Sequence, residues 1–427
     1  MKSWKQKLTA ILLAAGMSLS TAACGLFPNQ PLIAKQVSLS GDLMKEIQPE
    51  TPSGKPADAR FTKAQTAFAL NLLQKTAEKS NGENLALSPY SLMQALAMTV
   101  NGAEGKTKTE MLHVLGDLPL DDLNEYLYQY RTGQPQQQNT QVLTANSVWY
   151  PDDEQMFHVS TDYLKTISGY YAADAYQRPF NDDTVKDINK WVDAKTAHMI
   201  PDIIKEITPL TRMYLFNATV FEGKWETGYK KGEIEDGPFY AADGTVQVVP
   251  MMHSKEHFAI EDTNAKGFLK MYQGGRYAFA ALLPNQGIPV AEYAASLTPD
   301  RLEALFSGRQ SATVQVTMPK FTTDYSSDLT EVLKEMGMGE AFGASADFSR
   351  MNADGEPLLY INSVLHKIHI EVDENGTRAA AVSGTKLDGS AAEPERIVVT
   401  LDRPFLYCIL DLETNLPVFI GIMQSVS

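Results

Sequence analysis

Apolar positions in the first well-patterned stretch of the chain recur with a helical period. In KAQTAFALNLLQKTAEK, Ala64, Phe68 and Leu72 fall on one face. SPYSLMQALAMTVNGA opens with Ser88 at a capping position, puts Pro89 in the first turn and reaches Gly102 near its end, which predicts a second helix. TKTEMLHVLG predicts a short third. The pattern then becomes that of strands. TANSVWY, MYLFNATVFEGKW, FYAADGTVQVVPMM, YAFAALLP, ATVQVTMPKF, LLYINSVLHKIHIEV and VFIGIMQ are β-branched and aromatic runs divided by turn residues. Asp243-Gly244 inside AADGTV marks a hairpin. Helical spacing returns in DDTVKDINKWVDAKTAHMI and DLTEVLKEMGMGEAF. There is no internal repeat, and the mixed order predicts an α+β fold.

Two stretches fall outside this pattern. The first is the N-terminus, where Lys2, Lys5 and Lys7 precede an apolar run from Leu8 to Met17 and small residues up to Cys24. This is the layout of an export signal over residues 1–23. A cysteine directly after the small residues resembles a bacterial lipoprotein signal, in which Cys24 is lipidated and becomes the mature N-terminus. Thr21 stands where such signals usually carry Leu, so ordinary cleavage and secretion is the other expectation. Residues 24–60, rich in Pro, Ser and Lys, read as a lipid-anchor cysteine and flexible tether with at most a short helical piece at DLMKEI.

The second is VDENGTRAAAVSGT, residues 372–385, which lies between two strongly strand-like stretches. From Gly376 onward one alternating set is Thr377, Ala379, Ala381, Ser383, Thr385 and Leu387, small or uncharged throughout. The other set, Arg378, Ala380, Val382, Gly384, Lys386 and Asp388, holds every charge. A segment with that period of two can become a strand with one buried face. No proline occurs from 372 to 393, so every N–H is free to join a ladder.

Composition adds exclusions. The 427 residues carry a net charge of −15, which argues against nucleic acid or an anionic membrane surface as the main partner. With two cysteines, one of them Cys24, there is no disulfide framework; Cys408 inside FLYCIL reads as a buried small hydrophobe. Length alone allows two or three domains. No Gly-x-Ser-x-Gly elbow, phosphate loop, His-Glu-x-x-His or paired-Cys spacing occurs. His366 and His369, three apart on a strand, point to opposite faces and make no metal pair. The chain is not read as an enzyme, and no cofactor or metal is expected.

Several stretches together resemble one family. NLALSPYSLMQALAMTVNGAEGKTKTEML, FNATVFEGKWE, VPMM, PKF, DLTEVLKEMGM, ADFSRM, HKIHIEVDENGTRAAA, DRPFLYCI and FIGIM look like the successive blocks of a serpin, in the family's order, over residues 61–427. The resemblance implies one domain of three β-sheets and about nine helices, in place of several domains. It implies an inhibitor of serine-type endopeptidases whose reactive-centre loop, about 374–396, is cleaved and inserts into the main sheet, trapping the protease as an acyl-enzyme. Glu374, Gly376, Thr377, Ala379 and Ala381 then form the loop hinge; Thr377 is expected to turn inward on insertion, with Gly376 as the pivot. Arg378 departs from the family's usual acid but falls on the solvent side.

Counting from Gly376, and back from Pro404, places the reactive bond at Ser390–Ala391; the shorter spacing of some members gives Glu393. Small residues around Ser390 suit an elastase-like or subtilisin-like protease, with Lys386 and Arg396 as alternatives for a trypsin-like one. By motif, Ser88, Ser91, Asn217 and His366 match a polar cluster beneath the point where the main sheet opens. Trp225 and Lys320, with Glu374, match the top of that sheet. The stretch LPLDDLNEYLYQYRT is acidic, so no heparin response is expected. A monomer, exported to the cell surface or medium, completes the expectation. A non-inhibitory serpin acting as a binding or chaperone-like protein is the alternative.

Overall fold

The computed structural model describes residues 34–49, 51–134, 139–152, 157–207, 211–377 and 397–426. Among these, nine α-helices occur: α1 (Ala59–Lys79), α2 (Pro89–Val100), α3 (Gly105–Val114), α4 (Leu120–Thr132), α5 (Thr161–Tyr171), α6 (Asp182–Lys195), α7 (Val290–Ser296), α8 (Pro299–Ser307) and α9 (Thr330–Met336). The strands are β1 (Leu85–Leu87), β2 (Thr140–Pro151), β3 (Asp174–Arg178), β4 (Tyr214–Lys224), β5 (Ile234–Tyr240), β6 (Val246–Glu261), β7 (Ala265–Met271), β8 (Tyr277–Pro284), β9 (Gln310–Pro319), β10 (Phe321–Asp328), β11 (Ser363–Val372), β12 (Gly376–Thr377), β13 (Ile397–Thr400), β14 (Phe405–Asp411) and β15 (Leu416–Met423).

Local chemistry fixes the starts of the first two helices. The Asp58 carboxylate accepts from the N–H groups of Arg60 and Phe61 and so caps α1, while Ser88 caps α2 with Pro89 in its first turn. Every residue of α2 is buried, because it lies beneath the main sheet and against β15. The expected hairpin joins β5 to β6 through Asp243-Gly244, with Gly244 at φ +85°.

The main sheet has the order β10-β11-β12-β4-β2-β3. Along β11 burial alternates residue by residue, with Val364, His366, Ile368, Ile370 and Val372 inward. One core lies between this sheet and the second; the other, around Trp149, Tyr176 and Trp191, covers the sheet's opposite face under α6. The second sheet runs β1-β15-β14-β8-β7-β6-β9-β13 with β5 beside β6. The 16-residue β6 is shared between two parts of it. Its first half pairs with β5 and its end with β7, so the path divides into a β13-β9-β6-β5 part and a part from β6 to β1. With the main sheet, this gives the three β-sheets implied above.

The tether reading needs correction over the described residues 34–49 and 51–58. Lys35 N–H donates to Ala194 O, Leu43 N–H to Ala175 O, and Gln177 N–H to Gly41 O, at 2.8–3.0 Å. Leu39 is buried and packs into the Trp149–Tyr176 core. Residues 41–43 lie on β3 because β3 is an edge strand whose unpaired backbone groups need partners, and Lys55 N–H donates to Glu125 O of α4. DLMKEI is a turn, not a helix. Cys24 and the rest of the leader lie outside the described residues.

Candidate functional site

The site grows out of the central pair of strands. β4 and β11 run parallel and pair directly over seven positions, from Tyr214 with Ser363 to Val220 with His369. Above that point they separate. Into the gap comes β12, two residues long, antiparallel to both: Thr377 pairs with Val372 of β11 and Gly223 of β4, and Gly376 pairs with Lys224. A Cβ on Gly376 would lie 2.0 Å from Gly223 O, so only glycine fits there. Thr377 is buried, and its hydroxyl meets the Tyr272 hydroxyl at 2.5 Å. The hinge expectation is corrected at this residue: Thr377 already faces inward in the main sheet, because Gly376 lets the chain approach β4 closely enough to pair. Ala379, Ala381, Ser390 and Ala391 lie outside the described residues.

The turn before β12 is held from three sides. Trp225 donates its backbone N–H to Asn375 O and its indole N–H to Asp373 O, each at 2.9 Å, and Tyr229 N–H donates to Glu374 O at 2.9 Å. The Trp225 indole stacks on Tyr272 with ring centres 4.5 Å apart. Glu374 forms an ion pair with Lys320. Burial opposes charge on Glu374, yet its carboxyl titrates below the ordinary range because the Lys320 ammonium donates to it. Thus Trp225, Lys320, Glu374, Gly376 and Thr377 meet at one end of the sheet.

Lower down, where β4 and β11 are in contact, a polar network ties both strands to α2. His366 on β11 lies opposite Asn217 on β4. Ser88 N–H donates to His366 Nε2 at 3.1 Å, and Ser88 Oγ donates to Val418 O at 3.0 Å. Ser91 Oγ donates to Asn217 Oδ1 at 2.7 Å, and Asn217 Nδ2 donates to Ser91 O and to Asn146 Oδ1. Burial pushes His366 down to about 4, so it is neutral at pH 7 and accepts through Nε2. All four sequence-predicted residues of this cluster therefore lie together.

Sequence reasoning missed Asn146 and Gln94, which extend the network from β2 and α2 at 3.2 Å from each other. The Gln in a largely apolar helix was an available signal; Asn146, between Thr144 and Ser147 in β2, gave none. It also missed Tyr272, Asp373 and a buried ion pair, Lys270 Nζ to Glu256 Oε1 at 2.8 Å, with Lys270 over the Trp225 and Tyr229 rings. His369 points out to Asp324 while His366 is buried, and Cys408 is buried and free.

The described arrangement is a main sheet whose two central strands are parallel, touching below and wedged apart above by the start of a further segment. A family model described as Serpin (serine protease inhibitor) matches residues 63–425. The chain belongs to the serpin family. It is 32% identical over 372 residues to an uncharacterized serpin-like protein of Thermococcus kodakarensis, covering 85% of each chain. It is 30% identical over 384 residues to intracellular coagulation inhibitor 2 of Tachypleus tridentatus, covering 86% of this chain and 92% of that one. Among solved structures, the thermophilic serpin tengpin in its native state matches with TM-score 0.85 and 38% identity, over 90% of this chain and 99% of that one. Tengpin in its latent state matches with TM-score 0.77. The fold also matches thyroxine-binding globulin solved with thyroxine, at 23% identity and TM-score 0.76, so serpin architecture alone does not decide between inhibitor and carrier.

Proposed function

We propose that this serpin inhibits a serine endopeptidase as a suicide substrate. The protease cleaves Ser390–Ala391, and the segment from Arg378 onward then follows β12 down between β4 and β11. The acyl-enzyme is carried along and distorted before water can release it. One observation carries this reading: Gly376 and Thr377 already pair with β4 and β11 at the head of the gap, and these two strands are parallel neighbours below it. A strand entering there in the β12 direction is antiparallel to both neighbours, an arrangement in which every backbone N–H and C=O finds a partner. The alternating small residues from Thr377 to Leu387 supply its buried face.

Small residues around the bond support an elastase-like or subtilisin-like target. Incubation with one protease of each kind, read on a denaturing gel, tests the proposal. The expected product is an SDS-stable band of inhibitor plus protease, with a released fragment beginning at Ala391. Cleavage with no stable band would instead support a non-inhibitory binding serpin. The leader further supports export, with Cys24 diacylated and residues 1–23 removed. Metabolic palmitate labelling is expected to vanish in Cys24→Ala; label that persists would contradict the anchor, since Cys408 is buried.

A further inference from the structure

The turn leading into β12 carries a chemical arrangement that strand insertion does not use. Asn375 precedes Gly376, and one carboxylate touches both groups through which such a pair reacts. Asp373 Oδ1 accepts the Gly376 backbone N–H at 3.0 Å, and Asp373 Oδ2 accepts the Asn375 side-chain Nδ2–H at 3.2 Å. Asp373 Oδ1 also accepts the Asn375 backbone N–H at 2.7 Å, and Asp373 N–H donates to Gly376 O at 2.9 Å, so the turn holds all three residues in one geometry. Glycine at 376 leaves the attacking nitrogen unhindered by a side chain.

We propose that Asn375 is a self-modification site, at which Asp373 promotes closure of the Asn375 side chain onto the Gly376 nitrogen with loss of ammonia. The Gly376 nitrogen forms a bond to Asn375 Cγ and gives its proton to the Asp373 carboxylate. The Cγ–Nδ2 bond breaks, and the same carboxyl returns a proton to the departing nitrogen, which leaves as ammonia. The product is a five-membered succinimide. Water then opens it at one of its two carbonyls, giving aspartate or isoaspartate at 375; no oxidant or reductant is involved. Burial holds the Asp373 carboxyl above the usual range, the direction suited to a group that takes up and returns a proton.

Two other Asn-Gly pairs in the chain provide comparisons. At Asn101 the amide donates to Ala97 O and Asn124 Oδ1, and Gly102 N–H donates to Thr99 O; these carbonyls cannot take a proton. Asn81 lies in an exposed turn. The consequence at 375 is mechanical. Isoaspartate lengthens the main chain by one methylene immediately before β12, at the carbonyl that accepts the Trp225 N–H. Either product replaces an amide donor to Asp373 with a second carboxylate. The chemistry stands without the inhibitor reading; its effect on loop insertion rests on that reading.

The test uses the full chain, held folded at a fixed temperature and sampled over time. Peptide mapping and isoaspartyl methyltransferase labelling follow Asn81, Asn101 and Asn375 in the same samples, with a urea-unfolded sample alongside. Asn375 is expected to react faster in the folded than in the unfolded chain, and fastest of the three when folded. Asp373→Asn and Asp373→Ser should slow it about 100-fold relative to Asn81 in the same molecule, the size of a lost general acid–base contribution. A folded-state rate at Asn375 no higher than the unfolded one overturns the proposal, and this comparison needs only the wild-type chain. An Asn375-to-Asn81 ratio unchanged in folded Asp373 variants overturns it equally.

Discussion

His366 sets the terms at the scale of single residues. It is fully buried, neutral, and bonded through Nε2 to the start of α2. Its folded value of about 4 lies below the ordinary 6.5 because burial disfavours the charged form. The unfolded chain therefore takes up the proton first as pH falls. His366 contributes its full stability above pH 6.5 and loses it progressively down to about pH 4, a change of about 3 kcal/mol. The predicted outcome is a urea midpoint that falls between pH 6.5 and 4 in wild type and falls less in His366→Asn. Equal slopes would show that the imidazole is not the group being titrated. Gly376 acts in a different way, through space alone: the 2.0 Å approach of a Cβ to Gly223 O leaves no room for alanine without moving β4.

Elements show how far the sequence could be read and where it stopped. The helices over α1 and α2 were legible because their apolar residues recur at helical spacing and Ser88 caps α2, whereas Asp58, which caps α1, fell inside the stretch read as a tether. β11 was legible from its period of two, which also separated buried His366 from outward His369. The segment at 34–49 was not. Its partner is the open edge of β3, more than 120 residues away, and an edge of backbone groups leaves no periodic mark on the residues that cover it. The position of Thr377 was misread for a related reason. Small residues show that a segment can enter a sheet, while how many have entered is set by the separation of β4 and β11 above Val220 and His369. The network residues Asn146 and Gln94 escaped notice because Asn146 lies among other polar residues of β2 (Thr144, Ser147) and Gln94 is one polar position in a largely apolar helix, and only the packing of β2 against α2 makes them neighbours.

At the scale of the whole molecule, the proposed insertion works on β4 and β11, parallel neighbours in the main sheet with β12 between them at one end only. Admitting a further strand between them requires the seven parallel pairs from Tyr214–Ser363 to Val220–His369 to part, and with them the Asn217–Ser91 and His366–Ser88 contacts that tie the two strands to α2. The cost is recovered when a full-length strand restores antiparallel pairing on both sides and buries its alternate side chains. In the proposed mechanism, cleavage in the loop releases the segment to do so. The most direct measurement compares thermal unfolding of the intact protein with that of the protein cleaved between residues 390 and 391. Ala381→Arg serves as the control, because the alternation places residue 381 on the face that becomes buried only on the proposed insertion, where a charge costs several kcal/mol in desolvation. A large rise in melting temperature is expected on cleavage of wild type, and a much smaller rise in Ala381→Arg. A cleaved wild type that melts at or below the temperature of the intact form would contradict strand insertion between β4 and β11.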